Sequence, residues 1–363
     1  MANSRPEISL LVPIYNMERY LRQCLESAKL QTFDDIEVIC INDGSTDGSR
    51  LVVQEFLDDP RFRVIDKPNS GYGASMNQGL LAARGRYIAI LESDDYLELD
   101  ALERLHEAAV QSDADVVKAN FYLYWSYPYE RNKFFELVVP SMTGRVVNPQ
   151  VETEIFYLKP SIWSALYKAD FIQRNGIRFL ETPGASYQDA GFNFKVWASA
   201  DRVVYLHEAY LHYRQDNETS SVNSPTKAYC VCDEYAEMDR YLDERPEKKE
   251  RLKAVEMKMK YDSYMWNYER LSPCFKMAFL ERVSEDFGRH ISEGVVDLDL
   301  FEPWKVLDLQ MILKLPELYH SRRMSFARMG RLGKVLHYLR IGGVPLAFKI
   351  IRRKYLKKED TCR

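Results

Sequence analysis

Apolar and polar positions switch between two periods over the first 120 residues. Ile8-Ser9-Leu10-Leu11-Val12 is an apolar run closed by Pro13, after which Tyr20, Leu21, Cys24, Leu25 and Ala28 recur at helical spacing. Ile36 to Ile41 predicts a second strand. The octet Asn42-Asp43-Gly44-Ser45-Thr46-Asp47-Gly48-Ser49 then reads as a turn, with Asp47 as the candidate cap of a helix carrying Leu51, Val52, Phe56 and Leu57. Arg63-Val64-Ile65 predicts a third strand, Asn69 to Gly73 a loop, and Met76 to Ala83 a helix ended by Gly85. Tyr87 to Leu91 is a buried strand. Asp100-Ala101-Leu102-Glu103 has capping-box form ahead of the helical pattern Leu102, Leu105, Ala108 and Ala109, and Asp115 to Ala119 predicts a fifth strand. Strand and helix in strict succession predict an α/β fold with a parallel sheet covered on both faces.

The periodicity weakens from Phe121 to Val222, where aromatics and prolines are frequent. Helical patches fall near Glu154–Leu158 and Gly191–Ala200, and Arg202 to Leu206 predicts a strand. This half is expected to contribute loops and an acceptor wall rather than a second sheet. From Ser224 to Leu318 the pattern is helical and highly charged, for example Met238 to Met265, with breaks at Pro246, Pro273, Pro303 and Pro316. The expected organisation is an α/β domain over residues 1–222, in halves of about 6–120 and 121–222. A helical domain over 223–320 and a tail over 321–363 follow.

The chain of 363 residues, 46% hydrophobic and 29% charged, has the composition of a soluble globular protein rather than a disordered or fibrous one. The six cysteines are scattered, and Cys230-Val231-Cys232 lacks the two-residue spacer of a zinc or redox pair, which points to a reducing, cytoplasmic compartment. The apolar run Ile8 to Ile14 is too short for a signal peptide, and no window reaches the roughly 18 apolar residues of a membrane span. The net charge of −4 is unevenly spread, because twelve Lys and Arg and no acid fall between Ser321 and Lys358. Interleaved with Val335, Leu336, Leu339, Ile341, Phe348 and Ile350, they make a partly amphipathic basic tail. It fits docking on an anionic membrane surface, packing on the helical domain is the alternative, and no nucleic-acid module is visible.

The chemistry concentrates after the strand Tyr87 to Leu91. Glu92-Ser93-Asp94-Asp95 places three carboxylates within four positions at the carboxyl end of a strand, where open α/β sheets bind ligands. Such crowding calls for a cation or donor hydrogens among them, and the alternative is that Asp94 or Asp95 caps the next helix. Asp43 and the Glu92–Asp95 cluster share one edge of the sheet by construction.

Three stretches in order, Val12-Pro13-Ile14-Tyr15-Asn16, Asn42-Asp43-Gly44-Ser45-Thr46-Asp47 and Leu91-Glu92-Ser93-Asp94-Asp95, resemble the family-2 glycosyltransferases over roughly residues 6 to 222. The resemblance implies the GT-A fold, Rossmann-like with a mostly parallel sheet and helices on both faces, here followed by the mainly α-helical C-terminal domain. It implies transfer with inversion from a nucleotide-diphospho-sugar, usually a UDP-sugar, to a hydroxyl of a glycan or lipid-linked acceptor in cell-surface polysaccharide biosynthesis. Mn²⁺ or Mg²⁺ suits the oxygen ligands. By motif match Asp94 is the principal metal ligand, with Glu92 and Ser93 near metal or ribose. Asp43 resembles the carboxylate that receives the uracil ring, Pro13 and Tyr15 the wall of the base pocket, and Asn69 and Asn77 a second nucleotide-contacting segment. Asp189, in Ser186-Tyr187-Gln188-Asp189-Ala190-Gly191-Phe192, matches the general base, a role compatible with capping the helix that follows. His212-Tyr213-Arg214 with Ser220-Ser221 resembles a tyrosine-arginine-serine segment and makes Arg214 a partner for the diphosphate. His212 or His207 would be a metal ligand only as the minority reading.

Three positions depart from the family pattern. Glu92 stands where Asp is usual, Gln188 replaces an acid beside the base, and Met76 stands where many relatives carry Arg. Two other readings share the cleft: a sugar nucleotidyltransferase and a non-catalytic nucleotide- or carbohydrate-binding relic. The first wants a cationic glycine-rich loop after strand one, where this chain has Pro13-Ile14-Tyr15-Asn16-Met17-Glu18. A homo-oligomer through the helical domain is compatible with the sequence.

Overall fold

A computed structural model of the chain describes residues 5–217, 229–327 and 339. These residues form two compact units, one of residues 5–217 with Asp233–Arg245 and the other of residues 229–232 with 246–327. The boundary at Val222, the Ser220-Ser221 pair and nearly all of the basic tail beyond Ala327 lie outside the described residues.

The first unit is built on one mixed sheet. Ile8–Ile14 (β1), Ile36–Asp43 (β2), Phe62–Lys67 (β3) and Tyr87–Ile90 (β4) are parallel in the order β3-β2-β1-β4. Every residue of β1, β2 and β4 is buried, odd and even positions alike, so both faces are covered. The helices between them are Glu18–Lys29 (α1), Ser49–Gln54 (α2) and Tyr72–Ala82 (α3), with Ala101–Ser112 (α4) after the short strand Tyr96–Leu97 (β5).

The sheet is not parallel throughout. Val116–Trp125 (β6) does not neighbour β4. Ala165–Lys168 (β9), which leads directly into the short helix Ala169–Arg174 (α5), is inserted between them, antiparallel to both, and Val203–Arg214 (β10) follows parallel to β6. Arg131–Phe135 (β7) forms an antiparallel hairpin with β6, and Val146–Val147 (β8) pairs with β10. No second sheet forms in residues 121–217 and the strand expected at Arg202 to Leu206 is the start of β10, but β7, β8 and β9, which were not expected, also join the one sheet. The four-residue β9 and two-residue β8 are too short to show an alternation of their own.

Three local expectations also change. Asp100 sits at the start of α4, but its carboxylate pairs with Arg104 and Glu103 accepts from the Thr32 hydroxyl, so no capping box forms. Gly85 does not end α3. Its N–H donates to Ser9 Oγ at 2.8 Å, and a Cβ there would lie 2.4 Å from the Ser9 nitrogen, so the glycine permits a close backbone approach. Helix α3 begins at Tyr72, inside the expected loop, because Gly71 (φ +91°) turns the chain into it. Gly73 brings that first turn against Leu180, whose carbonyl oxygen would lie 2.0 Å from an added Cβ. Gly73→Ala should therefore destabilise the protein by about 1–3 kcal/mol, read by chemical denaturation. An unchanged midpoint would rule out this close approach.

In the second unit the four prolines expected as breaks are first residues of helices: Pro246–Arg270 (α8), Pro273–Ser292 (α9), Pro303–Lys314 (α10) and Pro316–Ala327 (α11). The first helical turn has no use for the N–H that proline lacks. Between Arg214 and α8 lies Cys230–Asp243 (α7), most of which belongs to the first unit. Tyr261, Tyr264, Phe279 and Phe287 form the aromatic core of the second unit, with a buried Lys260–Asp286 ion pair at 2.8 Å. No helix among the described residues is long and apolar enough to cross a membrane.

Candidate active site

The loops that leave β1 and β2 are latched to each other. Asn16, with φ +53°, accepts the Thr46 N–H on its side-chain oxygen at 2.8 Å, and its own N–H donates to Ser45 Oγ. Asp47 receives the N–H groups of Glu18 and Ser49 at 3.1 and 3.0 Å, so one carboxylate serves the first turns of both α1 and α2. Pro13 is buried in β1, whereas Tyr15 projects from its end with 47% of its surface exposed. An open cleft of about 570 Å³ lies alongside, lined in part by Asn16, Met17, Tyr20 and Asn217.

Asp43 ends β2 as a buried carboxylate. It accepts from the Ser70 and Gly71 N–H groups at 2.8 and 3.0 Å and is paired with Lys67, so it folds the loop after β3 back over the edge. Asn69 is exposed on that loop. Asn77 is buried in α3 with its amide spent on the Phe179 backbone and on Glu181 Oε1, which anchors the distant 179–181 segment. Met76 is fully buried.

Glu92, Asp94 and Asp95 each have a different partner. The Tyr72 hydroxyl donates to Glu92 Oε1 at 2.6 Å. Burial, together with repulsion from Asp94 and Asp189, outweighs that bond and pushes the Glu92 carboxyl up to about 8. Asp94 Oδ2 accepts from the Asn217 amide at 2.7 Å, and burial raises this carboxyl too. Asp95 is 1% exposed. One of its oxygens takes the Arg214 N–H, the other has no hydrogen-bond partner among the described residues, and burial followed by the Asp94 charge holds it far above the carboxylate range. Ser93 is buried between them.

Asp189 lies on Gln188–Trp197 (α6), and a chain of aromatic contacts ties this helix to the acidic edge. Tyr72 meets Phe179 edge-on at 5.8 Å, and Phe179 stacks on Phe192 of α6 at 4.2 Å. The Tyr72 N–H donates to the Gly184 carbonyl at 3.0 Å. Gln188 binds the same loop, donating to Thr182 Oγ1 and the Gly184 carbonyl and accepting from the Ser186 N–H. A glutamate there would lack the two donated bonds. Tyr187, with φ +63°, turns the chain into α6. Asp189 is thereby close enough to Glu92 for their charges to repel. Burial pushes its carboxyl up to about 6, against the pull of the Ala190 N–H and Lys159.

Arg214 is buried between the rings of Tyr20 and Tyr124, at 4.5 and 4.8 Å. It donates to the Asp94 carbonyl and to Gln23 Oε1, so the guanidinium braces the acidic turn from behind. His212 stacks on Tyr96 at 4.1 Å with its nitrogens on Asn132 and Glu98, and His207 pairs with Glu136, leaving both imidazoles in structural roles. The motifs did not point to Tyr72, Lys67, Asn217 or Lys159, and Tyr213 entered only as the tyrosine of the tyrosine-arginine-serine segment, with no role of its own. Tyr213 stands within the field of Glu92, Asp94, Asp95 and Asp189 together.

Among the described residues no three His, Cys, Asp or Glu side chains make a ready-made cation cage. The donor set fits a hard divalent ion nonetheless, provided the ion takes further oxygens from a ligand. Asp94 and Glu92 are carboxyls whose charge burial disfavours, that of Glu92 also through Asp94, and a buried Asp95 oxygen beside them has no hydrogen-bond partner among the described residues.

The sheet and the acid-bearing turn at its edge define a GT-A glycosyltransferase-type domain. The crystal structure of S. aureus TarS 1–349 in complex with UDP-GlcNAc is similar in fold at a TM-score of 0.65, with 21% identity over 84% of this chain and 87% of that one. Residues 9–160 match the model of glycosyl transferase family 2. The chain is 31% identical over 218 residues to the glycosyltransferase GlyG of Streptococcus pneumoniae, covering 57% of this chain and 70% of that protein. It is 33% identical over 230 residues to the uncharacterized glycosyltransferase EpsJ of Bacillus subtilis, covering 61% of this chain and 64% of EpsJ, just under two thirds of that relative's length. The chain belongs to glycosyl transferase family 2.

Proposed function

We propose that the chain transfers a sugar, with inversion, from a nucleotide-diphospho-sugar of the UDP class to a hydroxyl of a glycan or lipid-linked acceptor during assembly of a cell-surface polysaccharide. The observation that carries this reading is the approach of Asp189, from a different element, to Glu92 and to the Tyr72 that holds it. An inverting transfer needs a base on the face opposite the leaving group, and these two elements supply the two sides. Asp189 takes the proton of the acceptor hydroxyl as its oxygen bonds to the anomeric carbon. The bond from that carbon to the diphosphate breaks, and the nucleoside diphosphate leaves with the electron pair. Asp94, with Glu92, would hold Mn²⁺ or Mg²⁺, which supplies Lewis-acid stabilisation of the departing diphosphate. Tyr72 and Asn217 orient those two carboxyls, while Arg214 fixes the turn that carries them and Asp43 orders the loop bearing Asn69. Tyr15 and Pro13 flank the base, and Ser93 the ribose. That TarS was crystallised with UDP-GlcNAc supports uridine as the base to test first. The basic segment 321–358 is assigned to docking on the cytoplasmic face of an anionic membrane.

The test is a nucleotide-release screen over uridine, guanosine and cytidine diphospho-sugars with Mn²⁺ and with a chelator. UDP release that depends on the cation is expected. Turnover of none of them, with UDP failing to bind in a titration, would overturn the proposal.

A further inference from the structure

The sheet face that carries Tyr213 continues away from the acids and stays open among the described residues. Tyr213 is in register with Leu123, Leu123 with Lys133, and Trp125 with Arg131, and strand partners in register present their side chains to the same face. Leu123, Trp125 and Tyr213 are half-buried, whereas Arg131 and Lys133 are exposed. The rings form a strip. Trp163 stacks on Tyr213 at 4.7 Å, and the exposed Lys159 holds its Nζ 4.1 Å over the Tyr213 ring, within the field of Asp189 and Asp95. At the far end the Arg131 guanidinium lies 4.2 Å over Trp125. None of these three cations has an ion-pair partner among the described residues. The hairpin turn is fixed relative to the site by Asp216, which accepts from the N–H and hydroxyl of Ser126 and from the Tyr127 N–H at 2.7–2.9 Å. The next residue, Asn217, holds Asp94.

Resting on the glycosyl-transfer reading above, we infer that this face is the acceptor track. It holds an extended anionic glycan along the strip, with sugar rings against the ring edges from Tyr213 to Trp125, carboxylate or phosphate groups on Lys159, Lys133 and Arg131, and the terminal hydroxyl at Asp189. Residues two apart on a strand are roughly 7 Å apart, so the strip spans more than one sugar. Rings alone would take neutral chains, whereas unpaired cations beside each ring select for charge on the chain.

The experiment is titration calorimetry of the whole chain with three oligosaccharides of equal length: an oligouronate, a polyol-phosphate oligomer and a neutral glucan. Arg131→Ala/Lys133→Ala is the variant, since both side chains are exposed and its folding is checked by thermal melting. One anionic oligomer should bind with an affinity that falls as salt rises, and the variant should lose about tenfold of it. Which anionic oligomer binds decides between carboxylate and phosphate. Equal binding of the neutral glucan, no loss in the variant, or binding to phosphatidylglycerol vesicles without binding to any oligomer would each overturn the inference. UDP titration of the same wild-type sample separates the two readings. A protein that binds UDP but no anionic oligomer loses only the track, and one that binds no nucleotide loses the proposed function.

Discussion

Asp189→Asn should lower sugar transfer by roughly 10²–10⁴-fold, the usual worth of a positioned general base, and leave UDP binding intact. The amide keeps an oxygen for the Ala190 N–H, so the first turn of α6 persists and only the proton acceptor is lost. The wild-type pH profile carries an independent mark of the same group. Burial raises the Asp189 carboxyl to about 6, so the rate should climb as pH rises through that value and level off above it. The variant's residual rate should lack this limb. Stability moves the other way. A carboxyl whose folded value lies above its unfolded value favours the fold below about 3.8, where it is neutral in both states, and this contribution is lost as pH rises through about 6. The variant should therefore be more stable than wild type by about 3 kcal/mol at pH 8, measured by urea denaturation. Wild-type turnover in the variant would remove Asp189 from the chemistry.

That stability gain follows from how α6 is held, and it separates what the chain's pattern discloses from what it conceals. Strands β1 to β4 are legible because each is an apolar run closed by turn residues or acids, and their parallel order brings Asp43 and Glu92–Asp95 to one edge without reference to contacts. The partners of those acids are not legible. Tyr72 and Asn217 stand 20 and 123 positions from the carboxyls they hold, and no period or motif relates them. Side chains matched to nucleotide contacts, such as Asn77 and Arg214, also carry structural bonds to Phe179 and Asp94 that a motif cannot distinguish from ligand contacts. Gly73 and Gln188 show the same limit from the other side. Their residue types are dictated by a loop over 100 positions away for the glycine and by a local turn for the glutamine, and neither appears as a period. Likewise β9 became a strand only through the two edges waiting for it.

Asp94→Asn should cost roughly 10²–10³-fold in turnover and abolish the dependence of UDP binding on a divalent cation. The substitution is close to isosteric. Asn217 can turn its amide to offer an oxygen where it now offers N–H, and the Asp94 carbonyl that accepts from Arg214 Nε belongs to the backbone, so the turn should keep its shape. What changes is charge. Asp94 is one of the two groups whose repulsion adds to burial in raising Glu92, so its neutralisation should lower the Glu92 carboxyl from about 8, with burial and Asp189 still holding it above its ordinary value. The reciprocal substitution Glu92→Gln leaves Asp94 in place and should keep cation-dependent UDP binding, at a reduced affinity for the ion. Mn²⁺ titrations followed by calorimetry, with UDP present and absent, compare the two variants directly. If Asp94→Asn binds Mn²⁺ and UDP as the wild type does, the principal ligand is elsewhere, and the buried Asp95 oxygen without a hydrogen-bond partner among the described residues is where the search resumes.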